Sequence, residues 1–432
     1  MEKEDLNIMD FFEQFDDASW EFTIGDHYDP EKNVLQVGLV GVFFIEMGQS
    51  LADKRHGMRH VIERYCQLYG DNLRWGIVDD ANGATPYDYE GKREAADYLD
   101  IATVDTGNLM ILKWMSGPGE SYADSEYISV YSNADWYQNV HRTMSCICFF
   151  LPIERLKDGG KATFEQFLTE ICNLVQPLHG YAGLGVQASH EQYSYQHLEF
   201  GIARDFFGLD AAPRMSFLLA EEFLKAGIKT INWYTFLDKK WVDQLGGLEQ
   251  LRSQLDDPRI VFLPNRHGLG IRAGDWPELG WVQRNPYPEL YVKVNAALKP
   301  VRAPEVGGFA FGSIAGELRF THETSNLWMR RFDAPGIWPP PWLQSGSSAP
   351  EQPSVLAVAP ESSEKSGALA ADQEKVLPVH AGKPCPRTGW WLARALSGRK
   401  EFVQVGEAMP GPAVGPSGSQ VIWYWLGTTQ ES

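Results

Sequence analysis

The sequence predicts a mixed α/β (α+β) fold, and two observations lead to this prediction. Apolar runs typical of strands alternate with segments whose apolar residues recur every three or four positions, which is the spacing of one helix face. The 432 residues are 44% hydrophobic and 12% aromatic, enough to bury a sizeable core. We therefore expect a large domain in which helices cover a β-sheet.

The first half of the chain contains a tandem β-α-β repeat. The run NVLQVGLVGVFFIEM predicts a strand, and DKRHGMRHVIERYCQLYG and LRWGIVD predict the helix and strand that follow. A second set follows in RTMSCICFFLPIE, ATFEQFLTEICNLV and GYAGLGVQ, and its helical stripe lies 106 residues after the first. The two stripes are Met58, Val61, Ile62, Tyr65, Cys66 and Tyr69, then Phe164, Phe167, Leu168, Ile171, Cys172 and Val175. We expect the two units, about 35–132 and 142–303, to build one domain.

The elements beyond the repeat continue the alternation. APRMSFLLAEEFLKAG predicts a helix, IKTINWYTFL a strand, and KKWVDQLGGLEQLRSQL a helix interrupted by Gly246 and Gly247. YVKVNAALKPV predicts a strand or a short mixed element. The large domain is therefore predicted to span residues 1–335.

The composition changes after the large domain. Residues 336–375 are rich in Pro, Ser and Ala, which is typical of a linker. Residues 376–432 contain short aromatic runs separated by Gly and Pro. These runs predict a small antiparallel β domain.

Acidic residues dominate the charge of the chain. It carries 57 Asp and Glu against 38 Lys and Arg, a net charge of −19. Residues 1–33 contain eleven carboxylates against Lys3 and Lys32, which gives −9. Phosphates need cationic contacts, so nucleic acid is disfavoured as a direct partner. A basic protein partner is favoured, although acidity that only maintains solubility is an equal alternative.

The N-terminal sequence and the cysteines indicate a cytoplasmic protein. MEKEDLNIMDFF lacks the features of a secretory signal, and no run approaches the ~20 apolar residues of a membrane-spanning helix. Five scattered cysteines give no disulfide framework. We expect no membrane partner, and the sequence leaves open whether the chain forms a homo-oligomer.

No intact catalytic, cofactor or metal motif is present in the sequence. GLGIRAGDWPELG, residues 268–280, has the pattern G-x-G-x-x-x-G, and Pro277 predicts a turn where a dinucleotide site needs a helix. His56 and His60 are four residues apart on a predicted helix, but no third metal ligand can be named. We therefore predict no catalytic residues, no metal and no cofactor.

Three stretches together resemble the type VI secretion immunity protein family: INWYTFLDKKWVDQLGGLEQLRSQL, HGLGIRAGDWPELG and PYPELYVKVNAALKPVR. The resemblance covers most of residues 35–303. It rests on Trp233, Gly246, Gly247, Gly270, Ala273, Gly274, Pro277, Leu279, Gly280, Tyr291, Pro300 and Arg302. Trp281 stands where the family often has an aspartate. The tail resembles a small module of such immunity proteins, in Gly382, Pro384, Cys385, Pro386, Thr388, Gly389, Trp391, Gly406, Glu407, Met409 and Pro410.

The resemblance implies a cytoplasmic antitoxin that binds and neutralises a cognate effector without being an enzyme. Members of the family lie beside nuclease toxins, so the implied partner is a nuclease whose basic groove an acidic surface would block. Aromatic anchors inside an acidic rim often supply binding energy, so we predict partner contacts in one segment. These contacts are Asp79, Asp80, Tyr87, Asp88 and Tyr89, and the alternative is an ordinary solvated loop.

Two other functions stay open at this stage. One is a hydrolytic enzyme whose carboxylates the fold brings together; a carboxylate with a strongly raised pKa in a cleft would favour it. The other is a chaperone or adaptor that delivers an effector to the secretion machine, with the small β domain as the adaptor.

Overall fold

The computed structural model divides the chain into two units, residues 1–352 and 353–432. The residues that the structure describes are 3–19, 22–26, 32–46, 51–80, 83–88, 92–119, 122–123, 125–134, 144–189, 195–211, 213, 221–282, 287–309, 319–341, 379–393, 399–411 and 422–427.

Ten α-helices lie in this part of the chain, all of them in the first unit. They are α1 (Lys3–Ala18), α2 (Leu51–Tyr69), α3 (Lys92–Val104), α4 (Gly160–Val175), α5 (Gln196–Asp205), α6 (Glu221–Ala226), α7 (Lys239–Gln244), α8 (Leu248–Gln254), α9 (Glu289–Leu298) and α10 (His322–Met329).

The first unit is built on one large sheet, which has eleven strands among the described residues. They are β1 (Thr23–Gly25), β2 (Asn33–Ile45), β3 (Trp75–Asp80), β4 (Gly83–Asp88), β5 (Met110–Met115), β6 (Tyr127–Ser132), β7 (Ser145–Leu151), β8 (His179–Ala188), β9 (Tyr234–Asp238), β10 (Ile260–Pro264) and β11 (Gly268–Ala273). Their order is β10-β11-β9-β8-β2-β7-β6-β5-β3-β4, and β1 pairs with the start of β2. Neighbouring strands are antiparallel, so the α+β form of the predicted fold class is confirmed.

Helices α2 and α4 cover one face of this sheet. The Phe149 ring on β7 lies 6.2 Å from Tyr65 on α2, and 5.4 Å from Phe167 on α4. The two helices touch so closely that a Cβ on Gly57 would lie 2.2 Å from the Leu174 carbonyl oxygen. The predicted apolar stripes are buried on this face, except that Cys66 is half-buried.

The first strands and the helices of the two predicted repeats lie next to each other in the structure, and the repeat itself stays a prediction. β2 and β7 pair side by side at the centre of the sheet, with Leu39 opposite Leu151. Arg64 on α2 and Glu170 on α4, which occupy equivalent repeat positions, form an ion pair at 2.8 Å. The strands that follow the two helices lie in different places in the sheet. β8, which follows α4, pairs with β2, whereas β3, which follows α2, is separated from β7 by β5 and β6. The equivalence therefore ends after the helix.

The opposite face of the sheet is covered by segments from the second half of the unit. The buried His179 on β8 donates from Nε2 to the Leu224 carbonyl at 3.1 Å, which ties α6 to the sheet. Trp338 is buried and donates from its indole N–H to the Ala203 carbonyl at 2.9 Å. The large unit therefore includes Trp338, within the segment 336–375 that we predict as a linker. The exact linker and module boundaries stay a prediction.

Two expectations for the second half have different outcomes. The interrupted helix is confirmed, because Gly246 and Gly247 have φ values of 88° and 87° between α7 and α8. The strand or mixed element expected in YVKVNAALKPV is wrong, since this stretch contains most of helix α9. Its apolar residues follow helical spacing, and Leu290, Tyr291, Val294 and Leu298 are buried on one side. Of the helix predicted in APRMSFLLAEEFLKAG, residues 214–220 lie outside the described residues.

The glycine-rich stretch 268–280 is a strand followed by turns. Gly268 lies in β11, where a Cβ would come within 1.9 Å of the Leu237 carbonyl oxygen on β9. Gly274 and Gly280 have φ values of 96° and 61°, which favour glycine. These glycines therefore serve close strand contact and chain reversal.

The second unit contains a small antiparallel sheet in the order β12-β15-β13-β14. Its strands are β12 (Val379–His380), β13 (Gly389–Ala393), β14 (Arg399–Val403) and β15 (Ile422–Gly427). The core consists of Cys385, Trp391, Val403, Met409 and Trp423. The small antiparallel β domain that the aromatic runs predict is therefore confirmed.

Candidate functional site

An open groove of about 740 Å³ lies at the edge of the large sheet, where three strand ends meet. We call it the strand-end groove; it is lined by Arg74, Trp75, Tyr87, Asp88, Gly117, Pro118 and Gly119. Trp75 begins β3 and lies opposite Asp88 at the end of β4 and Met115 at the end of β5. Strand pairing thus assembles residues that are far apart in the sequence.

Backbone contacts fix the aromatic wall of the groove. The Trp75 indole N–H donates to the Gly117 carbonyl at 2.6 Å, and the Arg74 amide donates to the Met115 carbonyl at 2.9 Å. Gly117 and Gly119 present no side chain to the space beside the ring. The ring is therefore held by one edge with open space beside it.

Charged groups at the rim are available for a partner. Asp88 and Arg74 are both exposed, and both line the groove with Trp75. Within the described part of the chain, neither side chain forms an ion pair. Tyr87 is half-buried and lies opposite Gly76. An aromatic wall beside a free carboxylate suits a cationic side chain, which gains from both the ring face and the charge.

The structure brings together two of the five predicted contact residues. Tyr87 and Asp88 line the groove. Asp79 and Asp80 lie opposite Ala84 and Gly83, at the other end of the β3–β4 hairpin. Asp80 lies five positions along the strand from Trp75, which is about 17 Å. The side chains of Asp79 and Asp80, and the whole of Tyr89, lie outside the described residues.

Sequence reasoning missed Arg74, Trp75 and the Gly117–Gly119 segment. Trp75 stands inside LRWGIVD, where an aromatic residue is an ordinary strand former. These residues could be identified from the sequence if the pairing of β3 with β4 and β5 were predicted, because that pairing creates the groove.

A second group of ionisable side chains lies deep inside the large unit. Lys229 donates to the Tyr181 hydroxyl at 2.8 Å, and this hydroxyl donates to Asp210 at 2.9 Å. The Lys229 ammonium lies 5.0 Å from the Phe309 ring centroid and 5.9 Å from that of Trp328. Burial lowers the pKa of Lys229 and raises that of Asp210.

This group is closed off from solvent. The side chains of Lys229 and Asp210 are 0% exposed, and Tyr181 is also fully buried. The group joins strand β8 to the segment that covers the sheet, since Asp210 forms a bridge with Gly185. The group therefore contributes to the packing of this segment on the sheet.

One partly buried carboxylate also has a perturbed pKa. Burial, with the nearby Glu289 carboxylate, raises the pKa of Glu278 to about 7. Glu278 accepts from the Leu290 amide, and its own amide donates to the Tyr291 hydroxyl at 3.2 Å. The Glu278 side chain thus accepts from an amide in the first turn of α9, where backbone amides lack partners within the helix.

The described residues also show how the histidines, cysteines and possible metal ligands are placed. Among the described residues, no group of three or more His, Cys, Asp or Glu side chains is placed to hold a metal ion. His60 is exposed and bonds to Glu63 at 3.1 Å. The five cysteines are free thiols. None of the helices in the described part of the chain is long and apolar enough to span a bilayer.

The comparisons with known proteins agree with this architecture. A family model described as "Type VI immunity for VRR-NUC" matches residues 57–332, well over half of the chain. The solved structure described as "Pseudomonas aeruginosa T6SS protein PA0821" is similar, with a TM-score of 0.61 and 24% sequence identity. The likeness covers 72% of this chain and 87% of that one, and it shows a common fold. No curated protein matches the chain.

Proposed function

The chain belongs to the type VI immunity family for VRR-NUC effectors, and from this premise we propose that it binds a cognate VRR-NUC nuclease and neutralises it. The binding covers the nuclease surface that holds nucleic acid, in the cytoplasm of the producing cell, without catalysis by the immunity protein. The observation that carries the proposal is the family match over residues 57–332.

The charge of the chain supports this mode of inhibition. A nuclease must present cationic groups to a polyphosphate, and this chain carries a net charge of −19. On α1, Phe11 and Phe15 are buried while Glu13, Asp16 and Asp17 remain exposed. An acidic surface of this kind attracts a basic partner over roughly 10 Å at 0.1 M salt and more weakly at higher salt.

The strand-end groove, whose rim carries Asp88 as well as Arg74, is the place that we propose as an effector contact. Trp75 and Tyr87 supply aromatic area, and Asp88 supplies a carboxylate at the rim. A basic side chain of the nuclease that enters the groove meets an aromatic ring and a counter-charge together. That side chain is then withdrawn from the nucleic acid, which links occupancy of the groove to inhibition.

The test is co-purification with a candidate cognate VRR-NUC nuclease, with calorimetry at two salt concentrations and a cleavage assay. We expect a stoichiometric complex that weakens as salt rises, with cleavage abolished at equimolar protein. A tight complex in which the nuclease still cleaves DNA would point instead to delivery of the effector. Absence of any complex would refute the proposal.

Variants of the groove locate the contact. Asp88→Lys reverses one rim charge, and Tyr87→Ala removes aromatic area; we expect each to weaken binding by about 10- to 100-fold. The matched control is Asp256→Lys, which makes the same charge change at an exposed position next to β10, the other edge strand of the sheet. If Asp88→Lys weakens binding no more than Asp256→Lys does, only net charge matters and the groove is not the contact.

A further inference from the structure

The outward face of helix α3 exposes two large aliphatic side chains. Ile101 and Val104 are each 66% exposed, the highest values among the large hydrophobic residues described. They are three positions apart, so they are neighbours on one helix face. They therefore form a small apolar patch in water.

Folding of the large unit does not use this patch. The opposite side of α3 makes the core contacts, with Leu99 and Ala102 each 6% exposed. A helix with core residues on one side and aliphatic residues on the other has a second face that a partner can bury.

The C-terminal end of α3 is held rigidly. The buried Arg55 guanidinium on α2 donates to the carbonyls of Ala102 and Asp105 at 2.7 and 2.6 Å, and to that of Asn108. Carbonyls at a helix end lack partners within the helix, and a cation there also complements the helix dipole. The patch is thus presented on a pre-organised helix, which lowers the cost of binding.

Acidic side chains flank the patch and indicate the kind of partner. Asp97 is exposed, and Asp100 is 52% exposed while paired with Arg59. A second copy of this chain, itself at −19, would bring like charges together across the face. A basic partner surface would meet opposite charges.

We propose that the outward face of α3, formed by Asp97, Asp100, Ile101 and Val104, is a second effector contact. It docks into an apolar depression flanked by basic side chains on the nuclease. The inference rests on the proposed function and extends it, because α3 also contacts β4, the edge strand of the strand-end groove. The two surfaces then form one interface with separate roles.

The experiment measures binding kinetics of the full-length chain to the nuclease, with wild type, Ile101→Ala/Val104→Ala and Asp97→Lys. We expect the double variant to raise Kd by about 10- to 100-fold, mainly through faster dissociation, since apolar anchors set the off-rate. Asp97→Lys should mainly slow association and reduce its salt dependence. Thermal stability of the double variant should match wild type, because both side chains are exposed.

Matched controls are single aliphatic truncations at other exposed positions. Leu174→Ala removes a 38% exposed side chain on α4, and Val405→Ala removes a 62% exposed one in the second unit. Both should leave Kd within about twofold of wild type, as most truncations outside an interface do.

The outcomes separate this inference from the proposed function. If wild type inhibits the nuclease and the double variant binds within twofold of it, the α3 contact is wrong and the proposed function stands. If wild type neither binds nor inhibits, both fail. Sedimentation gives a further outcome: loss of self-association in the double variant with unchanged nuclease affinity would make the face a self-contact and overturn the proposal.

Discussion

Replacement of Arg55 by methionine should strongly destabilise the large unit, because this one side chain joins three parts of the fold. Arg55 is fully buried and donates to the Ser132 hydroxyl at 2.9 Å and the Asn133 carbonyl at 2.9 Å, at the end of β6. It also donates to carbonyls in the last turn of α3 and in the segment after it, including that of Ala102 at 2.7 Å. Methionine keeps much of the volume and none of the donors.

The magnitude follows from the acceptors that lose their donor. Three of the bonds lie in buried surroundings, those to Ser132, Asn133 and Ala102. A buried acceptor without a partner costs about 1–3 kcal/mol, and removal of a buried cation returns part of that cost. We expect a net loss of about 3–5 kcal/mol, a large part of the ~5–15 kcal/mol that stabilises typical folded proteins.

Urea denaturation measures this loss. With a slope of about 3 kcal/mol per molar urea, the midpoint should fall by about 1–1.7 M. Hydrogen exchange should show a larger acceleration in α3 than in α4, since Arg55 bonds directly to the C-terminal end of α3. The control Arg55→Lys keeps a charge and three donors, so we expect it to recover part of the stability.

A loss below about 1 kcal/mol in Arg55→Met would refute the reasoning, because it is no more than the lower bound for one unpaired acceptor. Unchanged exchange in α3 would separately refute the claim that Arg55 holds this helix.

Two further predictions concern buried ionisable groups. Burial lowers the pKa of His179 to about 3 from an ordinary 6.5. Between pH 6.5 and pH 3 the unfolded chain therefore binds a proton that the folded chain does not bind. The free energy of unfolding falls as the pH falls through this range. Between pH 7 and pH 5 the loss of stability should be about 2 kcal/mol, measured by urea denaturation at each pH. His179→Gln should remove this loss, and an unchanged pH dependence in that variant would contradict the prediction. Lys229→Met leaves Asp210 buried beside Tyr181 and should cost about 3–5 kcal/mol, while the added change Asp210→Asn should restore part of this loss. Strictly additive losses in that double-mutant cycle would show that the two groups are not coupled.

Much of the fold follows from local pattern. The stripe from Phe164 to Val175 repeats at helical spacing, and the structure buries all six of its residues. The two glycines at 246 and 247 interrupt a helix because their positive φ is incompatible with continuing it. The secondary structure of YVKVNAALKPV could not be predicted from its pattern. A short, mostly apolar segment is compatible with both strand and helix spacing.

The sequence by itself determined the class of fold, the acidic charge and the family, because all three are properties of residue order and composition. Tertiary structure alone decided where the candidate site lies. The strand-end groove exists because β3, β4 and β5 end together, and Trp75 meets Asp88 and Gly117 across 13 and 42 positions of chain. The two faces of α3 likewise differ because Leu99 packs in the core and Arg55 bonds to the C-terminal end of the helix. Both contacts come from tertiary structure. The physical reason is that strand order and helix docking are set by long-range packing, which local periodicity does not encode.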